Sequence, residues 1–552
     1  MHLTTFALAL SLFCGPLLAS PSTAQGGPPQ PPPPPPSNPI TPAKTLLGKA
    51  LFWDEQLSSG GTSACATCHI PSAGGQDPRS AGNPASRHPG FDGLLGTPDD
   101  IAGSIGVMES AADGSYLSNT DFGLQRQVTG RQAPTMINAA FFNGALFWDG
   151  RASGRFEDPI TGQVIDPFGA ALESQAAAPP SSSVEMGHVG VDWLDIAQRV
   201  ALSSPLDLAE IQPGDLADFV AGHDYPELFN LAFGSPAVTP VRIIQAIATY
   251  ERSLISLESP FDAFLGGNPG ALTPQQQAGL AIFNGPGRCV ACHGGPVNSD
   301  GLFHYIGVRP TIEDEGRFNV TGNPADRGSM KTPSLRNVEL SGPYFHNGAF
   351  ATLNDVVNFY DRGGDFNGPN KDPRIAPIGL SPGQRNALVA FLRALTDERV
   401  RNETAPFDRP TLYMESNHRP VPYGTGTPGT NGFVPRLVAL EPPRIGNDNM
   451  TIGVEHGFGG HQAILALSPS QDFGGTVFQG ATLHIGLTGG VQLHRIPHLN
   501  GSTPGTGFSS VNIEVPLDPV LIGTSVFAQW FVLDLGAPVR FSATDAVEIT
   551  FY

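Results

Sequence analysis

Two short stretches hold residues whose types and spacing could do chemistry: "CATCH", Cys65 to His69, and "CVACH", Cys289 to His293. In each, two thiols are separated by two residues and an imidazole follows the second thiol directly. Thiols so spaced reach the two vinyl groups of a haem as thioethers, and the adjacent imidazole reaches the iron from one face. A zinc site would pool both Cys pairs, and a dithiol redox motif would expect a βαβ setting. Neither accounts for a histidine after both pairs. The frames specify two covalently attached c-type haems, with His69 and His293 as proximal ligands.

Elements must hold those frames in place. "VRIIQAIATYERSLISL" (241–257) reads as a helix, as do "TPQQQAGLAIFN", with Thr273 as N-cap and Pro274 in the first turn, and "SPGQRNALVAFLRAL", with Ser381 and Pro382 in the same roles. "HNGAFATLNDVVNFYDRGG" (346–364) reads as a loop, a Thr-capped helix and a Gly-Gly exit. Its Leu353, Val356, Val357 and Tyr360 recur at helical spacing, so pattern alone puts Tyr360 in a buried stripe. Long Gly/Pro-rich loops lie between, as suits small domains in which a haem supplies much of the core.

Near residue 405 the character changes. "LVALEPPRIGNDNMTIGVEH", "HQAILALSPS", "GATLHIGL", "SSVNIEVPL", "TSVFAQWFVLDL" and "DAVEITFY" are short alternating or β-branched runs between turn residues, which suggests a β-sandwich. With no cysteine, metal cluster or nucleophile motif, it is expected to serve packing, secretion or partner contact, with carbohydrate binding as an alternative. The fold class expected is mainly α: two cytochrome c-like haem domains with long loops, then a C-terminal β-sandwich.

The chain of 552 residues is long enough for several domains, and 40% apolar content gives each a core. Lys+Arg 30 against Asp+Glu 50 gives a net charge of −20, which argues against nucleic acid. "MHLTTFALALSLFCGPLLAS" with "PSTA" reads as a secretory signal cleaved near Ala24, an uncleaved anchor being the alternative. Cys14 lies within it, behind a Phe13 too large for a lipoprotein site. No later run is long enough to span a membrane. The domains expected are therefore 1–24 signal, 25–40 Pro-rich linker, 41–258 N-terminal haem domain, 259–405 C-terminal haem domain and 406–552 β-rich accessory domain, in a protein exported to the periplasm or cell surface. The linker "QGGPPQPPPPPPSNP" is expected to be a solvated polyproline II spacer.

With both frames placed, residues 41 to 400 resemble the bacterial di-haem cytochrome c peroxidase and MauG family. The matching blocks are "LGKALFWDEQLSSGGTSACATCH", "RQAPTMINAAFFNGALFWDGR", "SSSVEMGH", "CVACHGG" and "KTPSLRNVELSGPYFHNGAF" with the helix after it. In that family the N-terminal haem reacts with hydrogen peroxide and the C-terminal haem relays electrons. The resemblance implies that Glu185 is the catalytic carboxylate above the N-terminal haem, that Gln175 and Pro179 shape access to it, and that Trp148 is a stepping stone between the haems.

The resemblance also marks departures. Many members carry a removable histidine seven residues before the position of Arg131; this chain has Leu124 there, so the N-terminal haem is expected to be open at rest unless His88 or His188 swings in. Tyr360 falls where peroxidases supply methionine to the C-terminal haem and MauG-like members supply tyrosine, with Met330 as the competing ligand. Phenolate favours oxidised iron, whereas methionine raises the potential. A calcium ion between the domains is implied at Gln132, which replaces an asparagine, and at the carbonyls of Ser341 and Pro343. Arg131, Lys331 and Arg336 either pair with haem propionates or are solvated, and His304 and His346 are expected to be structural.

The function expected is a di-haem peroxidase that reduces hydrogen peroxide at an open N-terminal haem, with electrons from a small donor such as a c-type cytochrome or cupredoxin. MauG-like oxidation of Trp or Tyr in a protein substrate is the alternative, and a non-enzymatic di-haem electron carrier is the third reading.

Overall fold

Thr41 opens the first helix, Pro42–Trp53: its hydroxyl accepts the Lys44 N–H at 3.3 Å, and Pro42 occupies the first turn, where its missing N–H costs nothing. This helix crosses the helix Pro240–Ser253 at Gly48. A Cβ on Gly48 would fall 1.9 Å from the Ala246 carbonyl oxygen, so only glycine lets the two backbones meet. The same device recurs further along, where the helix Pro274–Asn284 crosses Pro382–Arg393 at Gly279, whose Cβ would lie 2.0 Å from the Ala387 oxygen. Each haem frame is thus held by a helix pair crossed on glycine. Thr273 and Ser381 cap the second pair, accepting from Gln276 and Gln384 as the sequence suggests.

In the computed structural model the described residues are 29–536 and 540–552; the expected signal peptide, 1–24, lies outside them. The first core gathers Leu47, Leu51, Phe52, Trp53, Ile243, Ile247 and Tyr250, and the chain returns to it late through Val400, Phe407 and Leu412. A second holds Phe261, Ile282, Phe283, Leu353, Val357, Leu388 and Phe391. The third lies between sheets. A five-stranded antiparallel sheet runs in the order Val421–Tyr423, Phe541–Thr550, Ser525–Leu533, Ala463–Ser468, Gln492–Ile496, and a three-stranded sheet in the order Arg436–Ala439, Met450–Phe458, Pro504–Ile513. Ile452 and Val454 of the smaller sheet share a core with Leu465, Trp530 and Ile549 of the larger.

The chain is not mainly α: 28% is helix and 21% strand. In a chain with 67 Gly and 54 Pro, the part that carries the two Cys-X-X-Cys-His frames spends much of its length in one-turn 3₁₀ segments and two-residue strand pairs rather than helices. The sheet region also holds strands that alternation did not reveal, Gln471–Phe478 and Gln492–Ile496. The Pro-rich stretch is not wholly a solvated spacer. Asn38, at its end, is fully buried, donates to Glu173 Oε1 at 2.8 Å and to the Gln245 carbonyl at 2.9 Å, and accepts from Lys44 Nζ.

Candidate active site

Cys65–Cys68 forms a single 3₁₀ turn, closed where Thr67 Oγ1 accepts the Ala64 N–H at 2.8 Å. His69 follows, and its Nδ1–H donates to the Gly75 carbonyl at 3.0 Å. That bond fixes the tautomer and leaves Nε2 as the lone-pair nitrogen. Gly75 has φ +78°, and a Cβ there would meet Thr135 Oγ1 at 2.7 Å, so the loop that orients the imidazole needs glycine. Cys65, Cys68 and His69 line a cleft of about 1320 Å³, its open mouth included, whose walls also carry Trp148, Arg151, Gln175, Pro179 and Glu185.

Gln175 projects from the short helix Ala171–Ala176, and Pro179 starts the turn Pro179–Ser181. Glu185 follows in a loop closed by its own N–H to the Ser182 carbonyl at 3.2 Å. Among the described residues no side chain bonds its carboxylate. Burial raises its pKa, and the Arg151 guanidinium pulls it partly back.

The second frame repeats the arrangement. Cys289–Ala291 is one 3₁₀ turn, the His293 N–H donates to the Cys289 carbonyl at 2.8 Å, and His293 Nδ1–H donates to the Asn298 carbonyl at 3.1 Å. These residues line another cleft of about 1320 Å³ with its mouth, together with Met330, Val356 and Tyr360. The helix Leu353–Asp361 explains how. Thr352 caps it by accepting the Asp355 N–H, Leu353 and Val357 enter the second core, and Val356 and Tyr360, four residues apart, turn to the cleft. Phe359, fully buried, packs on Phe345 and Phe350. The Tyr360 hydroxyl has no hydrogen-bond partner among the described residues, and burial pushes its pKa up, with the Cys289 and Cys292 thiols acting in the same direction.

Trp148 lines both clefts. Its Nε1–H donates to the Gln132 carbonyl at 2.8 Å, its own carbonyl accepts the Lys331 N–H at 2.7 Å, and its ring meets His346 edge-on at 6.3 Å. Arg131, from the wall of the first cleft, holds Asp314, from the wall of the second, through two bonds of 2.7 Å, and also pairs with Asp149 at 2.7 Å. Arg131 is therefore not a solvated surface charge. Arg336 is likewise committed, to Asp262 at 2.6 Å and the Pro296 carbonyl at 2.8 Å. Lys331 lies over the Phe142 ring at the wall of the second cleft, its pKa lowered to about 7 by burial. His304 pairs with Asp300 and Asp372, and burial lowers His346 to about 4.

Gln132 Oε1 is buried with no partner, while its Nε2 donates to Gln76 Oε1 at 3.3 Å. Ser341 lies against the same loop, its Oγ 2.4 Å from where a Gly74 Cβ would stand. An orphaned, buried amide oxygen is the kind of ligand that a hard cation takes. Leu124, by contrast, is packed with Met108, Tyr116 and Val438 and lines neither cleft. His88 Nδ1 accepts the Gly90 N–H, and His188 Nδ1 bonds the Val189 carbonyl; neither lines the first cleft.

Glu251 is a site residue that the pattern did not single out. It faces the first cleft from the helix Pro240–Ser253, one turn after Ile247, with Oε2 unpartnered and its pKa raised to about 8 by burial. The only sequence signal is a carboxylate on the apolar face of a helix.

Among the described residues, four free cysteines in two pairs, each pair in a cleft with an imidazole whose Nε2 is uncommitted, fit covalent haem twice over. A family model described as di-haem cytochrome c peroxidase matches residues 42–270. Cytochrome-c peroxidase IdrP1 of Denitromonas iodatirespirans is 30% identical over 427 residues, covering 71% of this chain and 92% of the relative. The chain belongs to the di-haem cytochrome c peroxidase and MauG family. Within that family, the methylamine utilization protein MauG of Methylorubrum extorquens is 31% identical over 67% of this chain and 83% of its own, and the cytochrome c551 peroxidase of Nitrosomonas europaea is 31% identical over 70% and 90%. This family member is accordingly an oxidoreductase built for two c-type haems. No helix among its described residues is long and apolar enough to cross a membrane.

Proposed function

We propose that this protein reduces hydrogen peroxide at the cleft of Cys65, Cys68 and His69, with electrons arriving through the cleft of Cys289, Cys292 and His293. The observation that carries the reading is the half-buried carboxyl of Glu185, which lines the first cleft and has no side-chain partner among the described residues. When bound, the haems supply iron that activates peroxide and passes electrons. The remaining work falls to the chain. Glu185 takes a proton from one peroxide oxygen and returns it to the other, which leaves as water; two electrons and two protons convert one peroxide into two water molecules. A carboxyl raised by burial suits transfer in both directions. Gln175 and Pro179 limit what reaches that carboxyl, and Trp148 bridges the clefts.

His69 and His293 would hold the two irons through Nε2, and Tyr360, in the cleft of His293, would be a further ligand to the second. Burial, with the neighbouring cysteines acting in the same direction, favours the protonated phenol, so ligation and proton loss go together. Met330, in the same cleft, is the competing ligand. Leu124 offers no donor atom, which supports a first cleft open to peroxide at rest. Fluoride or cyanide added to the ferric protein should shift its spectrum without prior reduction; an unresponsive, wholly low-spin spectrum would sink that part of the reading.

The donor fitting a chain of net charge −20 is a small c-type cytochrome or cupredoxin with a basic face. Tyr360 at the second cleft favours one further reading, MauG-like oxidation of Trp or Tyr in a protein substrate, and turnover of candidate proteins against a reduced cytochrome separates the two. Calcium at Gln132, Ser341 and Pro343 belongs to the same proposal, as does export to the periplasm or cell surface. A calcium-dependent rise in melting temperature that persists in Gln132→Ala would remove that ion from it, and recovery of the leader-bearing chain in the cytoplasmic fraction would remove the export.

A further inference from the structure

The family model ends at residue 270 and leaves the sheets without a role. Their contacts supply one. Leu124 is 1% exposed, and one cross-strand ion pair takes both of its backbone groups. Glu455 Oε2 accepts the Leu124 N–H at 3.0 Å, and Arg436 Nη2 donates to the Leu124 carbonyl at 2.8 Å. Arg436 and Glu455 face each other in register on adjacent antiparallel strands, and Arg436 Nε donates to Glu455 Oε1. Earlier in the same segment the Tyr116 N–H donates to Ser510 Oγ at 3.0 Å, its hydroxyl donates to Glu441 Oε1 at 3.3 Å, and Thr451 Oγ1 donates to the Gly114 carbonyl at 3.1 Å. Asn512 Nδ2 donates to the Asp113 carbonyl.

The other side of this segment holds the loop that carries Glu185. The Val107 N–H donates to the Val184 carbonyl at 3.0 Å, Gln127 Nε2 donates to the Ser183 carbonyl at 2.7 Å, and the Val189 N–H donates to the Ser110 carbonyl at 2.9 Å. At Gly106 the two backbones touch, since a Cβ would fall 1.8 Å from the Val184 oxygen. Three hydrogen bonds and a glycine contact therefore tie the loop 183–189 to a segment whose far side is gripped by the sheets.

We propose that the sheet region is a positioning element for the first cleft: the Arg436–Glu455 pair fixes residues 107–127, and these fix the loop that sets where the Glu185 carboxyl stands. Arg436 and Glu455 touch neither cleft and act through Leu124. The structural claim stands on the contacts alone; its kinetic consequence rests on the acid–base reading of Glu185.

Hydrogen–deuterium exchange on the haem-loaded full chain tests it, with Glu455→Ala and Glu455→Gln compared to wild type. A buried N–H that loses its acceptor opens more often, so Glu455→Ala should raise exchange in both 109–127 and 182–189 by about tenfold. The helix Leu353–Asp361 should be unaffected. Glu455→Gln keeps an acceptor oxygen for Leu124 and should restore most of the protection. Peroxide kcat/KM should fall and recover in step. Exchange raised in 109–127 alone, in neither segment, or equally in both variants would overturn the proposal. If Glu455→Ala does not accumulate as folded protein, Arg436→Ala reads the same two segments, because it frees the Leu124 carbonyl and keeps the Glu455 acceptor. Should Glu185→Gln leave turnover intact, the acid–base reading fails while the exchange result still decides the positioning claim.

Discussion

The indole Nε1–H of Trp148 donates to the Gln132 carbonyl at 2.8 Å, and the ring it fixes lines both clefts. An aromatic so placed is a structural strut in the wall that the two clefts share. Trp148→Phe loses the bond and leaves a buried carbonyl unpaired, which should cost about 1–3 kcal/mol of stability. It should also slow electron equilibration between the haems while leaving cyanide binding at the first unchanged. Stopped-flow absorbance separates the two effects, and an unaltered equilibration rate would reduce Trp148 to its structural part.

Tyr360 reaches the second cleft with a hydroxyl that nothing among the described residues engages. Optical and EPR spectra of the ferric protein should therefore change in Tyr360→Phe and Tyr360→Met, the latter with a rise in reduction potential, because a thioether favours reduced iron. Met330→Leu should leave the same spectra alone. The opposite pattern would give the ligand role to Met330.

The Arg151 guanidinium lowers the pKa of Glu185 against a larger burial effect that raises it. If Glu185 must be ionised to accept the peroxide proton, activity falls as pH drops through its pKa. Arg151→Ala removes the opposing charge, so the pKa rises further and the acid limb of the kcat/KM profile should move to higher pH. Arg151 is partly exposed, so a shift of less than about one unit is expected. A limb that moves down, or stays, contradicts the electrostatic account.

Much of this was legible in the chain. The two Cys-X-X-Cys-His frames and the Thr273 and Ser381 caps are local chemistry, and local chemistry survives in sequence. The role of the helix Leu353–Asp361 was half legible. Its apolar residues read as one stripe, but a helix between a core and a cofactor has two apolar faces, and periodicity cannot say which face Tyr360 joins. The mainly α expectation failed for a related reason. "QDFGGTVF" forms the strand Gln471–Phe478 without alternating, because it is exposed on both sides and its register is set by its hairpin partner, Ala481–Ile485. The pairing of Arg131 with Asp314 spans 183 positions, and no spacing rule reaches that far.

Glu441 offers a test of the junction between the sheets and the segment around Tyr116. Its carboxylate accepts from the Tyr116 hydroxyl and the Thr451 N–H, and burial raises its pKa from 4.5 to about 8. The folded pKa lies above the unfolded one, so folding takes up a proton in between. This group's contribution is therefore full below about pH 4.5 and lost as pH rises toward 8, at up to about 1.4 kcal/mol per pH unit. Glu441→Gln should flatten the decline of melting temperature across that window. An unchanged slope would place the proton elsewhere.

The most direct test of the central claim is the single-turnover reaction of the ferric protein with hydrogen peroxide, followed by stopped-flow for wild type and Glu185→Gln. Wild type should react without prior reduction, and the variant should be slower by about 10²–10⁴-fold, the usual contribution of a positioned acid–base, while still binding cyanide. Equal rates in the two proteins, or a wild type inert until reduced, would contradict the account.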